Sequence, residues 1–362
     1  MKALVFLGLR HTILAKQWES EYALGMRNDT MLYGYGNAAT KDFSVEYCSF
    51  SRVERIFFKE NKIGKIYLYL LKLPILLMKY DVVWTHLDRD ALFIARLKEI
   101  PLIGRLFCKH IANFVWLIDH TQKFDSNKKK RISKRLGKID KIFYLSKSEE
   151  QEFITHYRVP NDKLLYTRYG INFAAYGPLA TGSKPHNFNH RNYILSVGTD
   201  EHRDLDLLDI VAGGNPEKKF IVCSGSPAHQ LKKFKNNNIM LMRANYNEMV
   251  YLYRNCEMVI IPLKFNFHAS GITTLLEAAA ARKPVIINYT PGLEDYGIDN
   301  ETCLFVPIGN KEKFNESINL LWSNSALAEK ISNNAYEYLR NEFNTHTYSS
   351  IYIKNSIRLF KK

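Results

Sequence analysis

Residues 256–287 read "CEMVIIPLKFNFHASGITTLLEAAAARKPVII". An unbroken apolar run, Met258–Leu263, gives way to a polar loop and then to an Ala-rich stretch that stops at "RKP". Continuous rather than alternating apolar strands belong to parallel sheets buried on both faces, and helices join them. The stretch is therefore one strand-loop-helix unit of an α/β fold. Gly271 in its loop lets backbone approach a ligand closely. The first amides of the helix, those of Ile272, Thr273 and Thr274, suit an anion such as a diphosphate, with the helix dipole adding to the attraction.

Glu277 sits about one turn into this helix, where a core helix would take Leu. Two readings are open. Thr274-Leu-Leu-Glu277 matches the S/T-x-x-E capping box, in which the carboxylate holds the N-cap amide. Alternatively, the carboxylate accepts hydrogen bonds from two neighbouring hydroxyls of a ribose. On these four residues alone the capping box is the preferred reading, since S/T-x-x-E recurs at many ordinary helix starts.

Outward from this unit the same pattern repeats. Short apolar runs stand at "KALVFLG" (2–8), "YDVVWTH" (80–86), "NFVWLIDH" (113–120) and "IDKIFYLS" (139–146), with helix-like segments between them. The pattern restarts at "NYILSVG" (192–198) and continues through "KKFIVCSG" (218–225), "NIMLM" (238–242), the opening stretch, "KPVIIN" (283–288) and "TCLFVP" (302–307). Between the halves lies "GPLATGSKPHNFNHR", rich in Gly, Pro, Asn and His. The expected organisation is two doubly wound, Rossmann-like domains facing each other across a cleft. They cover residues 1–176 and 192–345, with a linker over 177–191 and a C-terminal helix, 346–362, packing back on the first domain. In such sheets ligands collect at the carboxyl ends of the strands.

Composition narrows the class. The 362 residues are 46% hydrophobic and 24% charged, as in globular proteins. Five scattered cysteines without a CxxC pair argue for a reducing cytosol rather than a disulfide framework. The start, "MKALVFLGLRHT", reads as a buried first strand, because its apolar run is short and no cleavage pattern follows. The run Ile66–Met78 is broken by Lys72 and Pro74 and is too short to cross a bilayer. The net charge is +15, and residues 51–145 alone hold 21 Lys and Arg against 9 Asp and Glu. Such a field draws anionic partners. The histidines show no metal-ligand spacing, and neither a P-loop nor a nucleophile elbow is present. "DRD" (88–90) imitates a metal-binding Asp-x-Asp but reads as an acid pair in the first turn of a helix.

The segment "SGITTLLEAAAARKPVIINYTPGLEDYGIDNETCLFVPIGN" (270–310) resembles the nucleotide-sugar-binding region of retaining GT-B glycosyltransferases, the group 1 or family 4-like type. Those enzymes carry Glu-x7-Glu, then "LEAMA-GKPVI", then a "G-E…G-LV-P-GD" block. "YILSVGTDEHRDLDLL", "FIVCSGSP", "YNEMVYLYRNCEMVIIPL" and "KIDKIFYLSKSEEQEFITHYRVPNDKLLYTRYGIN" extend the likeness in the right order from Lys138 to Asn310. The resemblance implies a GT-B fold and a hexosyltransferase that moves sugar from a nucleoside-diphosphate-sugar, the co-substrate, to an acceptor with retention of configuration. It further implies no tightly bound cofactor and no required metal. The family's ribose-holding acid falls on Glu277, its diphosphate-binding amides on Thr273 and Thr274, and its phosphate-neutralising cation after "SVG" on Arg203; Gly198 in the preceding turn, and Gly271 and Ile272 from the loop reading above, complete the donor-nucleotide set. Two positions depart: Ala269 stands where the first motif acid belongs, and Thr199 where an arginine usually follows "SVG". His268 and Lys264 are the expected stand-ins on the sugar side.

For the first half, the resemblance places a polar residue after "WLI" near the reacting carbon, hence Asp119 and His120, with His120 preferred; capping of the next loop is the competing reading. Gly8, Arg10 and His11 follow the first strand, where these folds bring a loop to the phosphates and acceptor. Lys128, Lys129, Lys130, Arg131, Lys134 and Arg135 form the densest basic run, and "KENKIGKIYLYLLKLPILL" (59–77) mixes Lys with large apolar residues. This combination suits docking on an anionic leaflet, although a solvated helix face is the bland alternative. The expected partner is a lipid-linked or oligosaccharide acceptor of bacterial surface polysaccharide synthesis, met at the cytoplasmic face of the plasma membrane. A nucleotide-sugar epimerase or a phosphorylase shares the fold and remains a rival. A nucleic-acid-binding protein fits the charge but lacks base-reading motifs.

Overall fold

The computed structural model describes residues 1–8, 15–49, 72–101 and 103–361. The chain divides into two compact units: Met1–Leu24, Asp29–Thr167 and Thr345–Lys362 form the first, and Gly25–Asn28 with Arg168–Asn344 the second.

The first unit alternates strands and helices: β1 (Lys2–Phe6), α1 (Ala15–Ala23), β2 (Ser44–Tyr47), α2 (Leu73–Lys79), β3 (Val82–Thr85), α3 (Asp88–Leu97), β4 (Lys109–Asn113), α4 (Leu117–His120), α5 (Ser126–Leu136), β5 (Lys141–Tyr144), α6 (Ser148–Tyr157) and β6 (Leu164–Tyr166). All the strand pairs are parallel, in the order β2-β1-β3-β4-β5-β6. Leu4, Phe6, Val83 and Ile94 centre one layer of the core. The C-terminal helix, Thr345–Arg358, belongs to this unit. There the Trp84 indole donates to Ser356 Oγ at 2.9 Å, and Tyr348 and Tyr352 pack on Tyr35.

One strand differs from the sequence reading. The apolar run Asn113–His120 is not a strand; β4 ends at Asn113 and the chain turns into α4. The cause is Asp88, whose carboxylate accepts the amides of Val115, Trp116 and Leu117 at 3.2, 3.2 and 3.0 Å. Backbone groups satisfied by a side chain have no need of a neighbouring strand. The "DRD" acids do open a helix, α3.

The second unit contains β7 (Tyr193–Val197), α7 (Leu205–Gly213), β8 (Lys219–Cys223), α8 (Pro227–Gln230), β9 (Ile239–Met242), α9 (Tyr246–Asn255), β10 (Met258–Ile261), α10 (Ile272–Ala280), β11 (Val285–Asn288), β12 (Leu304–Val306), α11 (Lys311–Ser323) and α12 (Ser325–Leu339). Its parallel sheet runs β12-β11-β10-β7-β8-β9. The order reverses between β7 and β10, so the loops leaving these two strands are neighbours at the carboxyl edge. That is the topological switch point where open α/β sheets bind ligands.

The unit boundary falls at Thr167–Arg168, ahead of the expected 176. Residues 177–191 belong to the second unit, running largely exposed along it and anchored at a few points. Phe188 is buried against Tyr193 and Tyr251, and Ser183 N donates to Asn247 O at 3.0 Å. Among the described residues no helix is long and apolar enough to cross a membrane.

Candidate functional site

The loops after β7 and β10 meet around one side chain. Arg203 is buried, 8% exposed, and is tied to the β10 loop by a bridge to Leu263. Its Nη2 donates to Thr274 Oγ1 at 2.8 Å, and that hydroxyl in turn donates to Val197 O at 3.1 Å. Arg203 Nε and Nη1 find no hydrogen-bond partner among the described residues. Burial pulls the guanidinium below its ordinary range, against the raising effect of Asp200, Tyr253 and Glu277. A buried cation with unanswered donors is costly on its own, and an arriving anion removes the cost.

Two glycines make the room. Gly198 has φ +155, and a Cβ there would lie 2.1 Å from Arg203 Nε. Gly271, at φ +96, would place a Cβ 2.9 Å from Ile261 and 3.2 Å from Arg203 Nη1. Gly271 is also the N-cap of α10, and the first helical bond runs from Leu275 N to Gly271 O at 2.9 Å. The Thr273 and Thr274 amides precede that bond, so the helix dipole and the guanidinium converge. The Ile272 amide differs, since it already donates to Ala269 O at 3.3 Å.

The capping-box reading of Glu277 does not hold. Thr274 is the third residue of α10, not its N-cap, and the cap position makes no side-chain bond. Glu277 is buried, and its Oε2 accepts from Tyr253 OH at 2.7 Å while Tyr176 supplies a second hydroxyl. The two tyrosine rings meet edge to face, 5.6 Å between centroids. Burial raises the Glu277 carboxyl to about 6, against the lowering effect of both hydroxyls and Arg203. Burial, with the same carboxylate second, pushes Tyr253 and Tyr176 well above the usual phenol range. The sequence reading missed both tyrosines.

Beside Arg203, Asp200 gathers the sugar-side candidates. It accepts from His202 Nδ1 at 3.1 Å and Ser270 Oγ at 3.0 Å, and lies 3.2 Å from His268 Nε2. Ala269, between the last two, holds the left-handed φ of +53. Although linear spacing suggests no metal set, ligand-type atoms of Asp200, His202 and His268 lie within 4.8 Å of one another. The carboxylate between two imidazoles accounts for that grouping through hydrogen bonds. Lys264 is exposed, and its amide donates to His202 O at 2.8 Å.

The first unit has its own concavity at the carboxyl ends of β3 and β4. A cavity of about 610 Å³ is walled by Leu87, Leu92, Trp116, Leu117, Phe124 and Ile132, and edged by Asp88, Arg89, His120, Lys128, Arg131 and Arg135. His120 therefore lines a cavity, whereas Asp119 is not among its lining residues. The basic run is divided. Lys128, Arg131 and Arg135 share the cavity face of α5 with Ile132, and Lys129, Lys130 and Lys134 do not line it. Gly8, at φ +71, marks a tight approach, because a Cβ there would sit 2.7 Å from Asp90 Oδ1. Arg10 and His11 lie outside the described residues, as do residues 59–71 of the basic apolar stretch.

Comparisons with known proteins bear on the fold that carries this site. Residues 188–338 match the family model described as glycosyl transferases group 1. No curated protein sequence matches the chain. Sucrose-phosphate synthase from Thermosynechococcus elongatus superposes with a TM-score of 0.72 at 13% identity, over 100% of both chains. HepE from Anabaena, in complex with UDP and glucose, gives 0.68 at 12% identity, over 98% of this chain and 99% of that one. A glycosyltransferase from Rickettsia africae gives 0.65 at 16% identity, over 100% and 99%. At such identities these likenesses establish the fold, a GT-B architecture of two Rossmann-like domains.

Proposed function

We infer, for a chain that is a glycosyltransferase by its group 1 domain and its GT-B fold, that it transfers a sugar from a nucleoside-diphosphate-sugar to a lipid-linked glycan with retention of configuration. The observation that carries this reading is Arg203, buried at the start of α10 with Nε and Nη1 unpartnered among the described residues. A diphosphate answers those donors and the Thr273 and Thr274 amides together. Glu277 then reads the ribose by exchanging tyrosine hydroxyls for sugar hydroxyls. UDP is the first nucleotide to test, since HepE holds it.

In the reaction the bond from the anomeric carbon to the diphosphate oxygen breaks. The acceptor hydroxyl forms its new bond on the same face, and its proton passes to the departing phosphate. Arg203 stabilises the charge that develops on that phosphate, which is where electrostatic catalysis has most leverage. Retention is supported by the ordered motif blocks between Lys138 and Asn310. His120 faces the acceptor, and His268 with Asp200 borders the donor sugar. The basic α5 supports docking of the protein at an anionic inner leaflet, which suits a lipid-linked acceptor of a surface polysaccharide pathway.

A thermal-shift screen across nucleoside diphosphates and their sugars tests the donor reading. Stabilisation by at least one diphosphate, absent with the free nucleoside, is the expected result. No response from any diphosphate contradicts it. Incubating the responding donor without acceptor separates transfer from epimerisation, since an epimerase alters the sugar alone.

A further inference from the structure

The cavity of the first unit has a chemistry that the donor site does not use. Four aliphatic side chains, Leu87, Leu92, Leu117 and Ile132, form its walls together with the Trp116 and Phe124 rings. Arg89, Lys128, Arg131 and Arg135 ring the opening. A volume of about 610 Å³ lies within the range of sites that enclose a small ligand. A purely apolar ligand would leave the cations unanswered, and a free phosphate or nucleotide would leave the aliphatic wall wet. Both demands are met by a hydrocarbon chain ending in phosphate.

The nearby acids answer two of these four cations, Arg89 and Arg135, and not the other two. Asp88 lines the cavity, but its carboxylate is committed to three backbone amides. Glu99 lies 3.9 Å from Arg135, and Asp90 lies 3.5 Å from Arg89. Lys128 stands 3.6 Å over the Phe124 ring, and among the described residues neither Lys128 nor Arg131 has an ion-pair partner. α5 contains six basic residues and no acid. It therefore presents one basic set to the cavity and leaves Lys130 and Lys134 exposed for a bilayer surface, Lys134 standing 3.7 Å from Glu99.

We propose that this cavity takes the chain and phosphate head of a single-chain lipid phosphate, seating the lipid carrier of the acceptor. The identification of the occupant as acceptor carrier rests on the function inferred above; the preference for a lipid phosphate rests on the cavity's own walls and rim.

Farnesyl phosphate is the probe, titrated into the full-length chain by calorimetry, with farnesol and inorganic phosphate as partial ligands. The expected result is saturable binding of one molecule per chain, with each partial ligand weaker by about tenfold or more, the scale of a lost charge-assisted hydrogen bond. Arg131→Glu, at an exposed position, and Leu92→Trp, which fills the cavity, should each weaken farnesyl phosphate by about tenfold or more while UDP affinity stays unchanged as a control of folding. Lys130→Glu with Lys134→Glu should release the chain from vesicles containing phosphatidylglycerol yet leave farnesyl phosphate affinity intact. Non-saturable uptake, equal affinity for farnesol, indifference to both cavity variants, or an equal loss with the outer lysine pair would each overturn the proposal. The two readings fail separately: UDP binding without farnesyl phosphate binding removes the cavity assignment alone, and the converse removes the donor assignment alone.

Discussion

The nucleotide site proposed for the second unit and the first unit's cavity handle charge in opposite ways. At the first of these, one buried guanidinium is held by Thr274, flanked by two glycines and close to a buried acid. At the other, several cations stand on exposed or half-buried helix positions around an apolar hollow. Low dielectric makes the single arginine decisive and fixed in direction, whereas solvent screening makes the ring of cations additive and tolerant. A donor whose reacting bond must be aligned needs the former. A lipid head that must be gathered from a surface is served by the latter.

Mutations should expose this contrast. The largest effect is expected from Arg203→Met, which keeps the volume and removes the charge; kcat/KM for transfer should fall by about a hundred- to a thousandfold. A loss of only a few-fold would break the contrast by making the buried arginine no more important than a rim lysine. Next comes Lys130→Glu with Lys134→Glu, which should lower partition onto anionic vesicles by roughly thirtyfold or more, at about 1 kcal/mol per basic residue. Raising the salt should shrink that difference while leaving the Arg203 effect in place. Glu277→Gln should weaken UDP by about tenfold in calorimetry, the scale of one hydrogen bond to a charged group.

The smallest signal lies in the pH dependence of stability. Glu277 is raised from 4.5 to about 6, so the folded state holds this proton more tightly than the unfolded chain. Its contribution is fully present below about pH 4.5 and is lost as pH rises through about 6. Urea unfolding should therefore show roughly 1–2 kcal/mol of stability draining away across that window, and Glu277→Gln should flatten it. An unaltered slope in the variant would remove Glu277 as its source.

Much of this was legible in the sequence, for identifiable reasons. β1, β3, β5 and β7 to β12 are unbroken apolar runs in parallel sheets, where burial on both faces leaves a plain signal. β4 was displaced because Asp88 reaches across to the amides of residues 115–117, a long-range bond invisible to local pattern. β6 has three residues and little periodicity to detect. At the site, Gly271, Thr274 and Arg203 follow from the strand-loop-helix unit and the motif order. Tyr176 and Tyr253 were missed because each reads as an ordinary aromatic, and only the fold brings them to Glu277. The cavity was out of reach for a related cause: its lining comes from α3, α4, α5 and the turns beside them, so no single stretch carries its outline.

The most direct test of the arginine's role compares UDP with uridine on wild type and Arg203→Met by calorimetry. The account predicts that wild type prefers UDP by about a hundredfold and that the variant reduces this preference to a few-fold, with uridine affinity unchanged. An equal preference for UDP in both proteins would show that the diphosphate is gripped elsewhere, and the assignment of Arg203 would fall.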